Sequence, residues 1–217
     1  MGTETNIALS PDRKLHIDIM RAVAKDFHDI PMVLKGGTAL LLCYGLDRFS
    51  EDLDFDAPKK FTIAPRVERI LSRHAATYEV KTVKETPTVQ RLKSHYAGIT
   101  GDRLLKIETS FRNPPADEHV KVIDGIRTYT INTLIDQKIS ALAGRTAGRD
   151  LYDVAFLTRA YGDSFSSEAT AKLAAIMLDV NEVEKRFEYA FEEDDILQSD
   201  ALPATILQIT EFLTSRA

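Results

Sequence analysis

The spacing of apolar residues over the first half of the chain alternates between helical and strand periods. Ser10 followed by Pro11 marks a helix start, and apolar side chains then recur at helical spacing as far as Phe27. Further along, the pattern predicts a short buried strand over residues 32–34, a helix over 38–44 that ends at Gly45, and a strand over 53–56. This is a strand–turn–helix–strand arrangement.

The next segments continue the mixture of strands and helices. A helix is predicted over residues 66–75, followed by extended segments over 78–83, 88–96 and 104–111. Asp124-Gly125 separates two apolar runs and is typical of a type I′ hairpin turn. From Asn132 onward the pattern is helical. The sequence therefore predicts an α/β domain with a mixed sheet over residues 1–130 and a helical domain over 131–217.

Composition and charge narrow the possible partners. The net charge of −5 argues against a nucleic-acid partner, but residues 59–112 hold 12 Lys or Arg against 5 Asp or Glu, whereas residues 179–200 hold 9 acids against 2 bases. A basic segment suits a polyanionic substrate, although both segments could simply be solvated faces. With one cysteine, Cys43, no export signal pattern and no run of 18 apolar residues, we expect a cytoplasmic protein without a membrane segment.

A glycine pair lies where the first predicted strand meets the second helix, in the run Lys35-Gly36-Gly37-Thr38. Two adjacent glycines let the backbone approach an anion closely, and the free amide groups at a helix N-terminus can hold a phosphate. The run therefore predicts a phosphate cradle. An ordinary Gly-rich turn is the alternative interpretation.

Two aspartates, Asp52 and Asp54, lie just before and within the next predicted strand. Side chains at this spacing point to the same face, and paired carboxylates bind divalent cations such as Mg²⁺, or Mn²⁺ in its place. Leu53 and Phe55 alternate with them, which indicates one buried face and one face lined with carboxylates. The alternative is a solvated acidic strand end. A phosphate cradle beside a metal site is what nucleotidyl transfer requires.

A third carboxylate, Glu108, lies in a segment with strand alternation. Leu105 and Ile107 fall on one face, and Lys106 and Glu108 fall on the other. On a neighbouring strand, Glu108 could complete the metal site and accept the proton of an attacking hydroxyl. Pairing of Glu108 with Lys106 or with a base on the adjacent strand is the alternative.

The helical half carries a second group of charged residues. Lys138 and Arg145 lie on one face of the first helix, outside its apolar stripe, and together could clamp a triphosphate. A solvated face is the alternative. Asp150 and Asp153 at the start of the following helix also have a competing structural interpretation, as N-cap and first-turn residues.

These motifs, in this order, resemble the AbiEii/MenT nucleotidyltransferase toxins over roughly residues 30–157. The resemblance rests on Lys35-Gly36-Gly37-Thr38-Ala39-Leu40, Arg48-Phe49-Ser50-Glu51-Asp52-Leu53-Asp54-Phe55, Lys106-Ile107-Glu108, and Lys138 with Arg145, Arg149, Asp150 and Asp153. It implies a DNA polymerase β-like nucleotidyltransferase core with a helical C-terminal part. It also implies a toxin of a toxin–antitoxin or phage-defence system that transfers nucleotides from a nucleoside triphosphate to an RNA acceptor and blocks translation.

The same resemblance implies roles for individual residues and partners. Asp52, Asp54, Glu108, Lys138 and Asp150 would be catalytic, with magnesium on Asp52, Asp54 and Glu108. Nucleotide contacts would come from Gly36, Gly37, Thr38, Arg48, Ser50, Lys138 and Arg145, and Asp150 would fix the arginines and the lysine helix. The expected acceptor is a tRNA 3′ end, and the expected partner is a cognate antitoxin with a winged-helix domain.

Three other functions remain open at the level of sequence. A nucleotidyltransferase of the antibiotic-modifying kind shares the core chemistry but acts on a small hydroxylated molecule. A non-catalytic nucleotide-binding module would keep the fold alone. A helical RNase is suggested by the spacing of Arg69 and His74, a pattern that is common by chance.

Overall fold

The computed structural model describes residues 9–216. These residues divide into two compact units, one that ends at Thr130 and one that begins at Ile131. The predicted fold class, a mixed α/β sheet followed by helices, is confirmed. No helix in the described range is long and apolar enough to cross a membrane.

The first unit is built on a seven-stranded sheet with three helices. The helices are α1 (Pro11–Asp26), α2 (Gly36–Tyr44) and α3 (Ala64–His74). The strands are β1 (Val33–Lys35), β2 (Leu53–Asp56), β3 (Tyr78–Glu85), β4 (Val89–Ala97), β5 (Asp102–Ser110), β6 (Val120–Ile123) and β7 (Ile126–Tyr129). Their order across the sheet is β3-β4-β5-β2-β1-β7-β6. Only the β1–β7 and β2–β5 pairs are parallel, so the sheet is mixed.

Local sequence signals explain where several elements begin and end. Ser10 caps α1 by accepting a hydrogen bond from the Arg13 amide at 3.3 Å, and Pro11 occupies the first turn. Gly45 ends α2 in the left-handed conformation. Asp124 and Gly125 both have positive φ angles, 49° and 81°, which is the predicted type I′ hairpin. Helix α2 begins at Gly36 rather than at Thr38, since the glycine pair itself forms its first turn.

The core of this unit lies against one face of the sheet. Leu53, Phe55 and Ile107 are buried there, and the Phe27 ring that follows α1 packs 5.5 Å from the Phe55 ring, measured between centroids. Helix α3 packs against α1 and β3 through Val67 and its apolar neighbours. Burying this apolar face forces the alternate residues of β2 and β5, which are polar, to the opposite face.

The second unit consists of helices. They are α4 (Ile131–Gly144), α5 (Gly148–Tyr161), α6 (Ser167–Ile176), α7 (Val180–Glu192) and α8 (Leu202–Thr214). Helix α5 is the central element, because it contacts α4, α7 and α8 and buries most of its length. Phe187 and Phe191 of α7 fill the core of this unit.

Candidate active site

The start of α2 is shaped by its two glycines. Gly36 has a φ angle of +73°, and a Cβ atom at this position would lie 3.7 Å from Oδ2 of Asp54. At Gly37 a Cβ atom would lie 2.7 Å from Nη2 of Arg48 and 3.3 Å from Oγ of Ser50. Side chains therefore cannot be accommodated here without displacing Arg48. The glycine pair brings the helix N-terminus close to the strand that carries Asp54.

A short hydrogen-bond chain connects this first turn of α2 to the segment before β2. The Thr38 hydroxyl donates to the carbonyl oxygen of Asp52. The Ser50 hydroxyl oxygen lies 2.7 Å from the Thr38 hydroxyl oxygen. Because the single Thr38 proton is used toward Asp52, Ser50 is the donor in its bond to Thr38. The Arg48 guanidinium is buried and donates to the Phe49 carbonyl at 2.9 Å. In this structure Thr38, Ser50 and Arg48 hold the segment that positions Asp52.

Three carboxylates share one face of the sheet, which we call the carboxylate face (Asp52, Asp54, Glu108). Asp54 is in direct register with Glu108 across the parallel β2–β5 pair. Asp52 forms an ion pair with Lys106, two residues before Glu108 on the same strand. Glu108 accepts from Nε of Arg91 on β4 at 2.6 Å, as the cross-strand alternative predicted. The predicted location of Glu108 beside the aspartates therefore agrees with the register, and each outer carboxylate has a cation beside it.

Burial acts on Asp54, the central carboxylate of this face. It raises the pKa of Asp54 above its ordinary value; Lys106 opposes that rise, and Asp52 and Glu108 add to it. For Lys106, burial lowers the pKa, but the contacts with Asp52, Asp54 and Glu108 outweigh it and the pKa is raised. A half-buried carboxylate with two others nearby is an arrangement that a divalent cation would stabilise.

The geometry does not show a finished metal site. Within residues 9–216, no three His, Cys, Asp or Glu side chains are arranged to hold a metal ion together. Asp52 and Asp54 nevertheless supply the hard oxygen donors that Mg²⁺ prefers. Lys106 would have to turn away from Asp52, and its side chain is 32% exposed, so it has room to do so. The residues fit a magnesium ion provided that this ion pair opens.

A neighbouring carboxylate, Asp56, has a different role. It is 5% exposed, accepts from Nζ of Lys35 at 2.6 Å and from the Tyr129 hydroxyl at 2.9 Å. These contacts connect β1, β2 and β7. Asp56 therefore stabilises the sheet next to Asp54.

The charged residues of the helical unit form a cluster of their own. Nζ of Lys138 lies 2.9 Å from Oδ1 of Asp150 and 2.7 Å from Oδ2 of Asp153, and Nε of Arg145 donates to Oδ2 of Asp150 at 2.6 Å. Burial lowers the pKa of Lys138, but Asp153 and Asp150 outweigh it and the pKa is raised. Burial raises the pKa of Asp150, but Arg145 and Lys138 outweigh it and the pKa is lowered.

Two expectations for this cluster are corrected by its geometry. Lys138 is only 7% exposed, so it is not part of a solvated face with Arg145. The two cations meet instead at Asp150. Ala147 is the N-cap of α5, without a side-chain hydrogen bond, so neither Asp150 nor Asp153 caps that helix, although Asp150 lies in its first turn as the structural interpretation predicted. Arg149, which the resemblance grouped with this cluster, pairs with Asp194 at 2.7 Å.

Comparison with known proteins identifies the family. Residues 18–215 match the nucleotidyl transferase AbiEii toxin family of type IV toxin–antitoxin systems. The chain belongs to the AbiEii family. It is thus a nucleotidyltransferase of a toxin–antitoxin family, which confirms the resemblance seen in the sequence and makes a helical RNase untenable. No curated protein matches the chain.

Two solved structures from Helicobacter pylori resemble this AbiEii protein closely. JHP933 has 34% sequence identity and a TM-score of 0.88, covering 96% of this chain and 93% of its own. A nucleotidyltransferase candidate from the same organism also has 34% identity, with a TM-score of 0.86 and 95% coverage of each chain. The sheet and the helical unit are therefore both shared with a nucleotidyltransferase fold.

Two cations beside the carboxylates of this AbiEii protein were not assigned to the site from the sequence. Lys106 pairs with Asp52 and Arg91 pairs with Glu108. The strand alternation already placed Lys106 on the face of Glu108, which was the available signal. The position of Arg91 opposite Glu108 depends on the β4–β5 register, which the alternation alone does not fix.

Proposed function

We propose that this AbiEii protein transfers a nucleotide from a nucleoside triphosphate to an RNA 3′ end, with a tRNA as the acceptor, and so blocks translation. The observation that carries the proposal is the carboxylate face beside the glycine turn of α2. A Cβ atom built on Gly36 would lie 3.7 Å from Oδ2 of Asp54, so a phosphate held by the α2 amides would lie next to the carboxylates. We further propose that the partner of this protein in the cell is a cognate antitoxin with a winged-helix domain.

The reaction follows from that arrangement. The oxygen of an acceptor hydroxyl attacks the α-phosphorus, a new O–P bond forms, and the bond from that phosphorus to the bridging oxygen breaks. The electron pair leaves with pyrophosphate, and the hydroxyl proton passes to Glu108. A magnesium ion on Asp52 and Asp54 would supply charge stabilisation to the phosphate oxygens. Thr38 and Ser50 keep Asp52 in place while Lys106 exchanges partners.

A row of basic residues beside the carboxylates favours RNA over a small acceptor. Lys81 lies opposite Lys93 across β3–β4, and Lys93 lies opposite Lys106 across β4–β5. We call this row the basic ladder (Lys81, Lys93, Lys106). It shares the face of Glu108, since Lys106 and Glu108 are two residues apart on one strand. Lys81 pairs with Glu79 and Lys106 pairs with Asp52, but these ion pairs are exposed and open readily. Three aligned ammonium groups then suit successive phosphates of a polyanion.

Not every cation of the basic segment contributes to this surface. Arg66 lies on α3 and pairs with Asp29 at 2.6 Å, and Arg69 pairs with Asp26 at 2.7 Å. Their charge is already compensated by helix α1 and the turn that follows it. Among the strands of this segment, β4 carries two cations, Arg91 and Lys93, and no acid, and it lies next to the strand that carries Glu108.

The proposal is tested with labelled nucleoside triphosphates and purified tRNA. Asp54→Asn should lower transfer by about a thousandfold or more, because several kcal/mol of transition-state stabilisation are lost. Glu68→Gln, which alters an exposed carboxylate of α3, is the control and should keep full activity. Near wild-type transfer by Asp54→Asn in excess magnesium would remove Asp54 from the mechanism. If small hydroxylated molecules were labelled and RNA were not, the acceptor would be a small molecule and the proposed RNA acceptor would be wrong.

A further inference from the structure

A cavity of about 420 Å³ opens beside the carboxylate face, within the first unit. Its wall comes from the first turn of α1, the segment before β2 and the start of β5, and includes Arg13, His16, Phe49, Asp52 and Arg103. None of the glycine-turn residues of α2 lines it. The cavity and the phosphate cradle therefore have Asp52 between them. A volume of this order suits one small ligand, within the range of about 300–1,000 Å³ for ligand pockets.

The wall of the cavity is rigid on the α1 side. Asp12 is 4% exposed and accepts from the Ile99 amide at 2.6 Å, from the Thr100 hydroxyl and from Nη2 of Arg103 at 2.8 Å. The α1 N-terminus is thereby attached to the β4–β5 turn. Arg103 remains 38% exposed at its side chain, so it can still meet a ligand.

His16 has a defined protonation state in this wall. Its Nε2 lies 2.7 Å from the Glu51 carbonyl oxygen and its Nδ1 lies 2.5 Å from the Tyr96 hydroxyl. Burial lowers the pKa of His16, so the ring is neutral at pH 7. A carbonyl only accepts, so Nε2 carries the proton and Nδ1 accepts from Tyr96. His16 is thus a fixed part of the wall that holds Glu51, next to Asp52.

Arg13 gives the cavity a positively charged, planar surface. Its guanidinium carbon lies 5.0 Å from the centroid of the Phe49 ring. Within the described residues, Arg13 forms no ion pair with a carboxylate. A guanidinium plane can stack on a nucleobase or bind a phosphate, and both occur in the recognition of single-stranded RNA ends.

We propose that this cavity binds the 3′-terminal nucleotide of the RNA acceptor and presents its hydroxyl toward Asp52. The inference rests on the proposed function and adds the acceptor's binding site. In-line displacement requires the attacking oxygen and the leaving pyrophosphate on opposite sides of the α-phosphorus. With the phosphates at the α2 turn, a cavity that shares Asp52 but no residue of that turn lies where an acceptor is needed. Arg13 and Arg103 supply the cationic contacts and Phe49 supports the Arg13 plane.

The test measures binding without catalysis. A 5′-labelled RNA hexamer with a free 3′ end is titrated in EDTA buffer and followed by fluorescence anisotropy. Arg13→Ala should weaken binding about tenfold, the loss of one charge-assisted contact. Lys14→Ala removes the same charge from the next position of α1, outside the cavity, and should leave the affinity unchanged.

A second variant and a second ligand keep the result decisive. Leu104→Trp, at a cavity-lining position of β5 that is 41% exposed, should obstruct the cavity and weaken hexamer binding without lowering the melting temperature. Affinity for a non-hydrolysable nucleoside triphosphate with magnesium should be unchanged in both cavity variants. An equal loss of triphosphate affinity would assign the cavity to the donor nucleotide, and unchanged hexamer affinity would place the acceptor elsewhere. Either result overturns the inference. Lack of transfer with normal binding would instead contradict the proposed function.

Discussion

Replacement of Lys138 by methionine tests whether this residue is a structural element of the helical unit. Lys138 Nζ lies within 3 Å of two carboxylates, and the side chains of Asp150 and Asp153 are 2% and 0% exposed. Methionine has a similar length but no charge. The variant therefore leaves two buried carboxylates without the ammonium group that they share.

The expected size of the effect follows from this burial. Removing one partner of a buried ion pair destabilises by about 3–5 kcal/mol, and the lower end applies here because Asp150 keeps its bond to Arg145. For a chain of this length each kcal/mol lowers the melting temperature by about 2–4 °C. We expect Lys138→Met to melt about 6–12 °C below the wild type, measured by circular dichroism on the full chain.

The pH dependence provides a second readout. The lowered pKa of Asp150 means that its contribution is present above the ordinary aspartate pKa of about 4 and is lost as the pH falls through the folded value. The raised pKa of Lys138 means that its contribution is present below about pH 10 and is lost as the pH rises through the folded value. The difference in melting temperature between the wild type and Lys138→Met should therefore be largest between about pH 4 and 10 and should become smaller in acid.

A matched control separates burial from simple loss of charge. Lys172→Met removes an exposed lysine that pairs with Glu168 on α6 and should leave the melting temperature unchanged. If Lys138→Met has the same melting temperature as Lys172→Met, the explanation by a buried ion pair is wrong. The outcome also decides how functional tests are interpreted. If Lys138 is structural, a loss of toxicity in Lys138→Ala would result from unfolding and would not identify a catalytic residue. Arg145→Gln is the better probe of a phosphate contact, since that side chain is 66% exposed.

Three further outcomes are expected. Gly37→Ala should weaken triphosphate binding, because its Cβ would meet Arg48, whereas Gly101→Ala, which would meet nothing within 4 Å, should not. Lys93→Glu should weaken RNA binding and flatten its log–log salt slope by about 0.7 or more, while Arg69→Glu should leave the slope unchanged because Arg69 is already paired; equal slopes would contradict the basic ladder. Chelation should abolish transfer and added magnesium or manganese should restore it; full activity in EDTA would exclude the metal role.

The sequence predicts the central strands of the first unit well because β2, β4 and β5 bury alternate residues. Leu53, Phe55, Leu105 and Ile107 are all at most 1% exposed, as period-two alternation requires. The polar residues between them could therefore be assigned to one surface. Which carboxylate stands opposite Asp54 could not be assigned, because the β2–β5 register joins segments about fifty positions apart and depends on the whole sheet.

In the helical unit the sequence pattern did not predict the burial of Lys138. Helical spacing placed Lys138 outside the apolar stripe, and a lysine at such a position is ordinarily solvated. Its burial is compensated by Asp150 and Asp153, which come from the next helix. The number of Lys and Arg residues in residues 59–112 overestimates the free positive charge for the same reason, since Arg66 is compensated by Asp29 in the turn that follows α1. Pairing between separate elements decides both cases, and no local pattern contains it.

Burial also separates the ion pairs that can change partners from those that cannot. An exposed pair contributes about 0–1 kcal/mol and opens readily, whereas a buried one resists opening by several kcal/mol. The Lys106–Asp52 side chains are 32% and 38% exposed, but that of Lys138 is only 9% exposed. A catalytic centre that admits a metal ion and a triphosphate must exchange ionic partners in each cycle. By this criterion we expect the exchange to take place at Asp52, and we expect Lys138 to keep its partners.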